Sequence, residues 1–216
     1  MGLLARARRG PVPSPLVVLA LSAVLAGCRA PVAAPSPAPV AAEEEQAPAL
    51  LPAAGDQTVD VRAWYGIPIL RRSFRWDGNG EDDTAGVRAR YLFHLSDSIA
   101  IGPGVAASTW FQSGADAYAG ELEAVGRIYL HKSRSLGVFA ELTGGWMQST
   151  RPVPTDGTEW NMTFSFGSGI EVPLDPGMGL ISGITYHHTS NALGRANDRN
   201  PSQNEGQAWI GLSFRL

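Results

Sequence analysis

The chain has 216 residues, a formal charge of −3, 25 glycines, 16 prolines and a single cysteine. That length suits one domain behind a leader. The slight negative charge gives no electrostatic footprint for nucleic acid. The lone cysteine excludes an intrachain disulfide, and no spacing of His, Cys and carboxylates outlines a metal or cofactor site. Beyond the leader there is no apolar run of about 18 residues or more, so no helical membrane span is expected. Abundant glycine alongside aromatics suits an all-β chain with tight turns.

The first elements are not part of the fold. Arg6, Arg8 and Arg9 make a positive start, and Leu16 to Leu25 is an apolar stretch too short for a comfortable spanning helix. It ends in Leu25-Ala26-Gly27-Cys28, which resembles the lipobox of bacterial lipoproteins, whose cysteine is lipidated and becomes the first residue. Residues 1–27 are expected to be a lipoprotein signal peptide, with Cys28 as the lipidation site. Each buried CH₂ of the attached chains would contribute roughly 0.8 kcal/mol to anchoring. Residues 28–56 are rich in Ala and Pro, carry the run Glu43-Glu44-Glu45 and have no apolar periodicity. They read as a disordered tether.

From Gln57 to Leu216 the pattern changes to period two. Tyr118, Gly120, Leu122, Ala124, Gly126, Ile128 and Leu130 alternate with Glu121, Glu123, Val125, Arg127, Tyr129 and His131. Ala208, Ile210, Leu212, Phe214 and Leu216 alternate with Trp209, Gly211, Ser213 and Arg215. The spacing predicts strands near 57–67, 84–95, 98–108, 118–131, 134–148, 159–172, 178–190 and 205–216. A soluble carrier barrel also alternates, with its apolar face inside. Here the polar faces mix carboxylates with arginines (Asp60, Arg62, Arg88, Arg90, Glu121, Glu123, Arg127, Glu141), a set able to pair within a lumen. The apolar faces carry aromatics near strand ends, as membrane girdles do. The connections after the second, fourth and sixth strands read as short; those after the first, third, fifth and seventh read as longer and polar. The expectation is an eight-stranded antiparallel transmembrane β-barrel over residues 57–216, with a filled lumen, short turns and both termini in the periplasm.

One stretch carries chemistry. In Tyr186-His187-His188-Thr189-Ser190-Asn191-Ala192, residues 188 and 190 share a strand face. By parity with Leu180, Ile184 and Tyr186, that face is the lipid side, at the extracellular end. His188 has the chemistry of a general base and Ser190 that of a nucleophile, with Asn191 beside them for the oxyanion. The plainer reading is a polar loop entry, since Ser and Asn are common turn residues. His187 falls on the lumen face. His94 and His131 fall on polar faces near periplasmic ends and read as structural.

His188-Thr189-Ser190-Asn191-Ala192, followed by a loop with Asn200-Pro201 and a terminal strand, resembles the outer-membrane lipid A 3-O-deacylases of the PagL type, also called acyloxyacyl hydrolases. The similarity of layout runs from about Gln57 to Leu216. The resemblance implies a serine esterase of a Gram-negative outer membrane. It would remove an ester-linked acyl chain from lipid A, with lipopolysaccharide as substrate and no cofactor. It implies Ser190 as nucleophile, His188 as base and Asn191 at the oxyanion hole. Such enzymes place a Glu at the start of the last strand, facing the His. Here the chemistry favours Glu205, which a bulge just before the strand would rotate into place, whereas parity with Ala208 and Ile210 favours Asn204 or Gly206; Glu205 is the first choice, Asn204 the alternative and Asp198 a weaker candidate. A non-catalytic envelope barrel and a tethered lipid-binding barrel are the alternatives, and a homodimer stays open.

Overall fold

In a computed structural model of the chain, residues 51–70, 72–73, 76–77, 80–191 and 202–216 are described. Residues 1–50, which hold the expected leader, Cys28 and most of the expected tether, and Ala192, Asp198, Asn200 and Pro201 lie outside the described residues. The strands are β1 (Gln57–Leu70), β2 (Arg72–Ser73), β3 (Trp76–Asp77), β4 (Asp83–His94), β5 (Ile99–Phe111), β6 (Ala117–Lys132), β7 (Gly137–Val153), β8 (Thr158–Asp175), β9 (Met178–Ser190) and β10 (Ser202–Arg215). All except β2 and β3 form one closed barrel in the order β1-β10-β9-β8-β7-β6-β5-β4. β1 pairs antiparallel with both β10 and β4, so the wall has no free edge to expose backbone groups to lipid. β2 and β3 form a small separate hairpin.

The wall is apolar outside and charged inside. Ile101, Val105, Leu122, Leu142, Phe166, Ile184 and Ile210 are exposed on its outer surface. Asp60, Arg62, Arg88, Arg90, Glu121, Glu123, Arg127, Glu141 and Glu171 are buried in its interior. Water would penalise that outer belt at roughly 25 cal/mol per Å² of apolar surface; a bilayer does not. This is a transmembrane β-barrel. A carrier barrel with an apolar cavity is excluded, because the lumen holds ion pairs.

Those pairs interlock. Glu141 accepts from Arg62 Nη1 at 2.9 Å, Arg90 Nη1 at 2.7 Å and Arg127 Nε at 2.9 Å. Asp60 accepts from Arg62 Nη2 at 3.0 Å and from Arg127. Glu123 accepts from Arg90 Nε at 2.5 Å. The guanidiniums of Arg62 and Arg127 lie 4.1 and 4.2 Å from the ring centroids of Trp209 and Phe139, members of a buried cluster with Trp64, Tyr129 and Ile181. The lumen is thus packed with side chains.

Three details depart from the sequence expectation. β7 runs on to Val153 and β8 starts at Thr158, so the expected long connection is a tight turn. Gly157 N donates to Pro154 O at 2.7 Å, and Asp156 takes a φ of 65°, which aspartate tolerates. A register shift between Tyr129 and His131 turns His131 out to solvent rather than inward. His94 stays buried, its Nε2 3.2 Å from Thr58 Oγ1. Finally, residues 51–56, expected as tether, are ordered at the short-turn mouth. Leu51 is buried over Gly137, Lys132 Nζ donates to Pro52 O, and Ala54 N donates to Asp97 Oδ1 at 2.9 Å.

Candidate functional site

β9 brings His188 and Ser190 to the end of the wall opposite the β4–β5, β6–β7 and β8–β9 turns. Register pairs them outward, as parity required. His188 lies across from Phe164 on β8 and Asn204 on β10; Ser190 lies across from Met162 and Ser202. The imidazole stacks obliquely on Phe164, with centroids 4.8 Å apart at 36°. Phe166 and Tyr186 continue the row, 4.9 Å apart. The two polar side chains are therefore set among aromatics of the lipid-facing wall, and both are buried, His188 at 3% and Ser190 at 9% exposure.

Asn204 fixes the imidazole. Its Oδ1 lies 2.7 Å from His188 Nδ1 and accepts from Tyr186 OH at 2.5 Å, while its Nδ2 donates to Leu70 O at 3.3 Å. A backbone carbonyl only accepts, so the contact with Leu70 identifies the NH₂ end of the amide. The oxygen then faces the ring, and Nδ1 must carry the proton. That leaves Nε2 as the basic nitrogen, the tautomer a general base on this scaffold needs. Leu70 reaches Asn204 because the β1–β10 register shifts between Pro68 and Leu70.

Glu205, the first choice for the third member, does not meet His188. The β9–β10 ladder is regular from Ser202 to Phe214, so no bulge rotates Glu205 outward. It faces the lumen, where Thr84 Oγ1 donates to it at 2.8 Å and Gln207 Nε2 at 2.7 Å. Asn204 stands where parity put it. His187 is buried on the lumen side, 3.2 Å from Thr189 Oγ1. Asn191 is buried directly after Ser190. Among the described residues no hydrogen bond joins Ser190 to His188; such contacts often close only around substrate. Also among the described residues, no group of His, Cys, Asp and Glu is arranged to hold a metal.

Sequence reasoning passed over Tyr186 and Ser202, although both share the parity of His188 and Asn204 and were open to the same count. The carbonyl of Leu70 was not, because it depends on a register shift.

No protein-family model matches the sequence, and no curated protein matches it. Similar solved structures include bacterial outer-membrane barrels. Neisserial surface protein A aligns with a TM-score of 0.50 at 10% identity, over 74% of this chain and 96% of its own. OprG from Pseudomonas aeruginosa gives 0.47 at 10% identity, over 76% and 97%. Ail of Yersinia pestis gives 0.42 at 10% identity, over 76% and 99%. At such identities the likeness to the Neisserial protein establishes the fold alone: this chain folds as an eight-stranded outer-membrane β-barrel.

Proposed function

We propose that this barrel is a serine esterase acting on an acyl lipid of the outer membrane, with lipid A as substrate and the ester-linked chain at position 3 as the group removed. The observation that carries the reading is the His188 imidazole, held by Asn204 in the basic tautomer on the lipid-facing wall, with Ser190 two residues on and facing the same way. His188 and Ser190 are on the lipid side of the wall but buried there, where polar groups are costly without a role, and a site that takes its substrate from the leaflet gives them one. His188 takes the Ser190 proton, Ser190 attacks the ester, and N–H groups at Asn191 stabilise the oxyanion. Asn204 orients the ring without neutralising it, as the Asn of Cys-His-Asn proteases does. In this reading the N-terminus is periplasmic and Cys28 carries a lipid anchor.

The test is mass spectrometry of lipid A from Gram-negative cells expressing the chain, beside a Ser190→Ala control. Loss of one hydroxyacyl chain, restored in the control, supports the reading. Unchanged lipid A with the barrel folded in the membrane supports the second reading, a non-catalytic envelope barrel. That second reading draws on the open Ser190–His188 pair and on the engagement of Glu205 in the lumen.

A further inference from the structure

We infer that Ser202 is a further catalytic residue of this site, donating its hydroxyl to the oxyanion formed when Ser190 attacks an acyl ester. The inference rests on the esterase reading and deepens it. Ser202 opens β10 and is the ladder partner of Ser190. Side chains of directly paired residues leave the sheet on the same side, with Cβ atoms about 5 Å apart, so the two hydroxyls flank one spot on the outer wall. Ser202 is fully buried at 0% exposure, yet its Oγ has no hydrogen-bond partner among the described residues.

Its neighbours on β10 are all engaged. Gln203 exchanges hydrogen bonds with the Asp82 backbone, Asn204 holds His188 and Leu70, and Glu205 binds Thr84 and Gln207. A buried hydroxyl without a partner is costly and rare in folded proteins. One that faces a candidate nucleophile gains its partner when a substrate oxygen arrives.

The step balances without any further reactant. His188 Nε2 takes the Ser190 proton as the Oγ–C bond forms, and the carbonyl π pair moves onto oxygen. Ser202 Oγ–H donates to that alkoxide. As it collapses, the ester C–O bond breaks and the leaving alcohol takes the proton back from His188. Water repeats the sequence on the acyl-serine and releases the fatty acid. Because the donor is aimed at the charge that develops, its contribution lies in kcat rather than in KM.

The experiment compares wild type, Ser202→Ala, Ser202→Thr and Ser190→Ala as full chains in detergent micelles. A long-chain p-nitrophenyl ester reads kcat and KM, a fluorophosphonate reads labelling of Ser190, and urea titration reads folding. Ser202→Ala is expected to lower kcat roughly 10²-fold, with KM and the unfolding midpoint unchanged, and to slow phosphonylation. Ser202→Thr, which keeps a hydroxyl, is expected to recover most of the rate. An active wild type with Ser202→Ala at the same kcat overturns the role of Ser202 and leaves the esterase reading standing. Activity that survives Ser190→Ala but not Ser202→Ala makes Ser202 the nucleophile and overturns the oxyanion role. A wild type that neither turns over ester nor takes the label overturns both.

Discussion

The lumen and the outer-wall site use polar side chains in opposite ways. Inside, Arg62, Arg90 and Arg127 converge on Glu141, and two of them also hold Asp60. Each of the three arginines has two carboxylate partners, and Arg62 and Arg127 also lie over aromatic rings. On the wall, His188 Nδ1 donates to the Asn204 amide, which Tyr186 and the carbonyl of Leu70 keep in place, and the ring lies against Phe164. The difference follows from what each must do. Charges closed inside a narrow barrel are tolerable only when paired, and the shared ion pairs tie β1, β4, β6 and β7 into one unit. A base needs its ring orientation and tautomer set, which the Asn204 oxygen does at Nδ1. The barrel is therefore expected to stand without its site, whereas the site cannot stand without the barrel.

The largest effect that tests this contrast is Glu141→Ala. It leaves three guanidiniums without their shared carboxylate, and breaking a buried pair from one side costs about 3–5 kcal/mol. Urea unfolding of the barrel in lipid vesicles should show the loss, with ester turnover falling only as the folded fraction falls. A parent-like midpoint would mean that the remaining carboxylates, Asp60 and Glu123, suffice. On the wall, Asn204→Ala removes the acceptor from His188 Nδ1. One such hydrogen bond contributes on the order of 1 kcal/mol, which corresponds to roughly a five- to tenfold fall in kcat. The unfolding midpoint should move far less than in Glu141→Ala. A Glu141-sized loss of stability would show that the wall residue is part of the scaffold, and the contrast would fail.

The same contrast explains what could be read from the sequence. Strict alternation from Tyr118 to His131 and from Ala208 to Leu216 sorts residues to two faces, and arginines mixed with glutamates on one of them reveal which face is inside. Parity along β9 and β10 likewise places His188, Ser190, Asn204 and Ser202 on one wall. What alternation does not encode is where it breaks. The shift at Pro68–Leu70 that brings the Leu70 carbonyl to Asn204, the bulge that exposes His131, and the tight turn at Pro154–Gly157 arise from pairing between strands distant in sequence or from local backbone geometry. The choice of Glu205 over Asn204 erred in the same place: chemical preference for a carboxylate was set against parity, and the ladder stayed regular.

That choice yields the smallest expected effect and a sharp one. Glu205 is the sequence neighbour of Asn204 but belongs to the other region, buried in the lumen against Thr84, Gln203 and Gln207. Glu205→Gln keeps its shape and retains an oxygen that can accept from Thr84. The amide also replaces one acceptor with a donor facing Gln207 Nε2, so a stability change of about 1 kcal/mol is expected in the urea midpoint. The rate per folded molecule should stay at the parent value, because a side chain behind the sheet has no path to the imidazole in front of it. If Glu205 instead neutralised His188 during catalysis, losing its charge would cut kcat by orders of magnitude while the barrel stayed folded. A parent-like kcat in Glu205→Gln beside a reduced one in Asn204→Ala would locate the orienting group one residue away, on the lipid side of the wall.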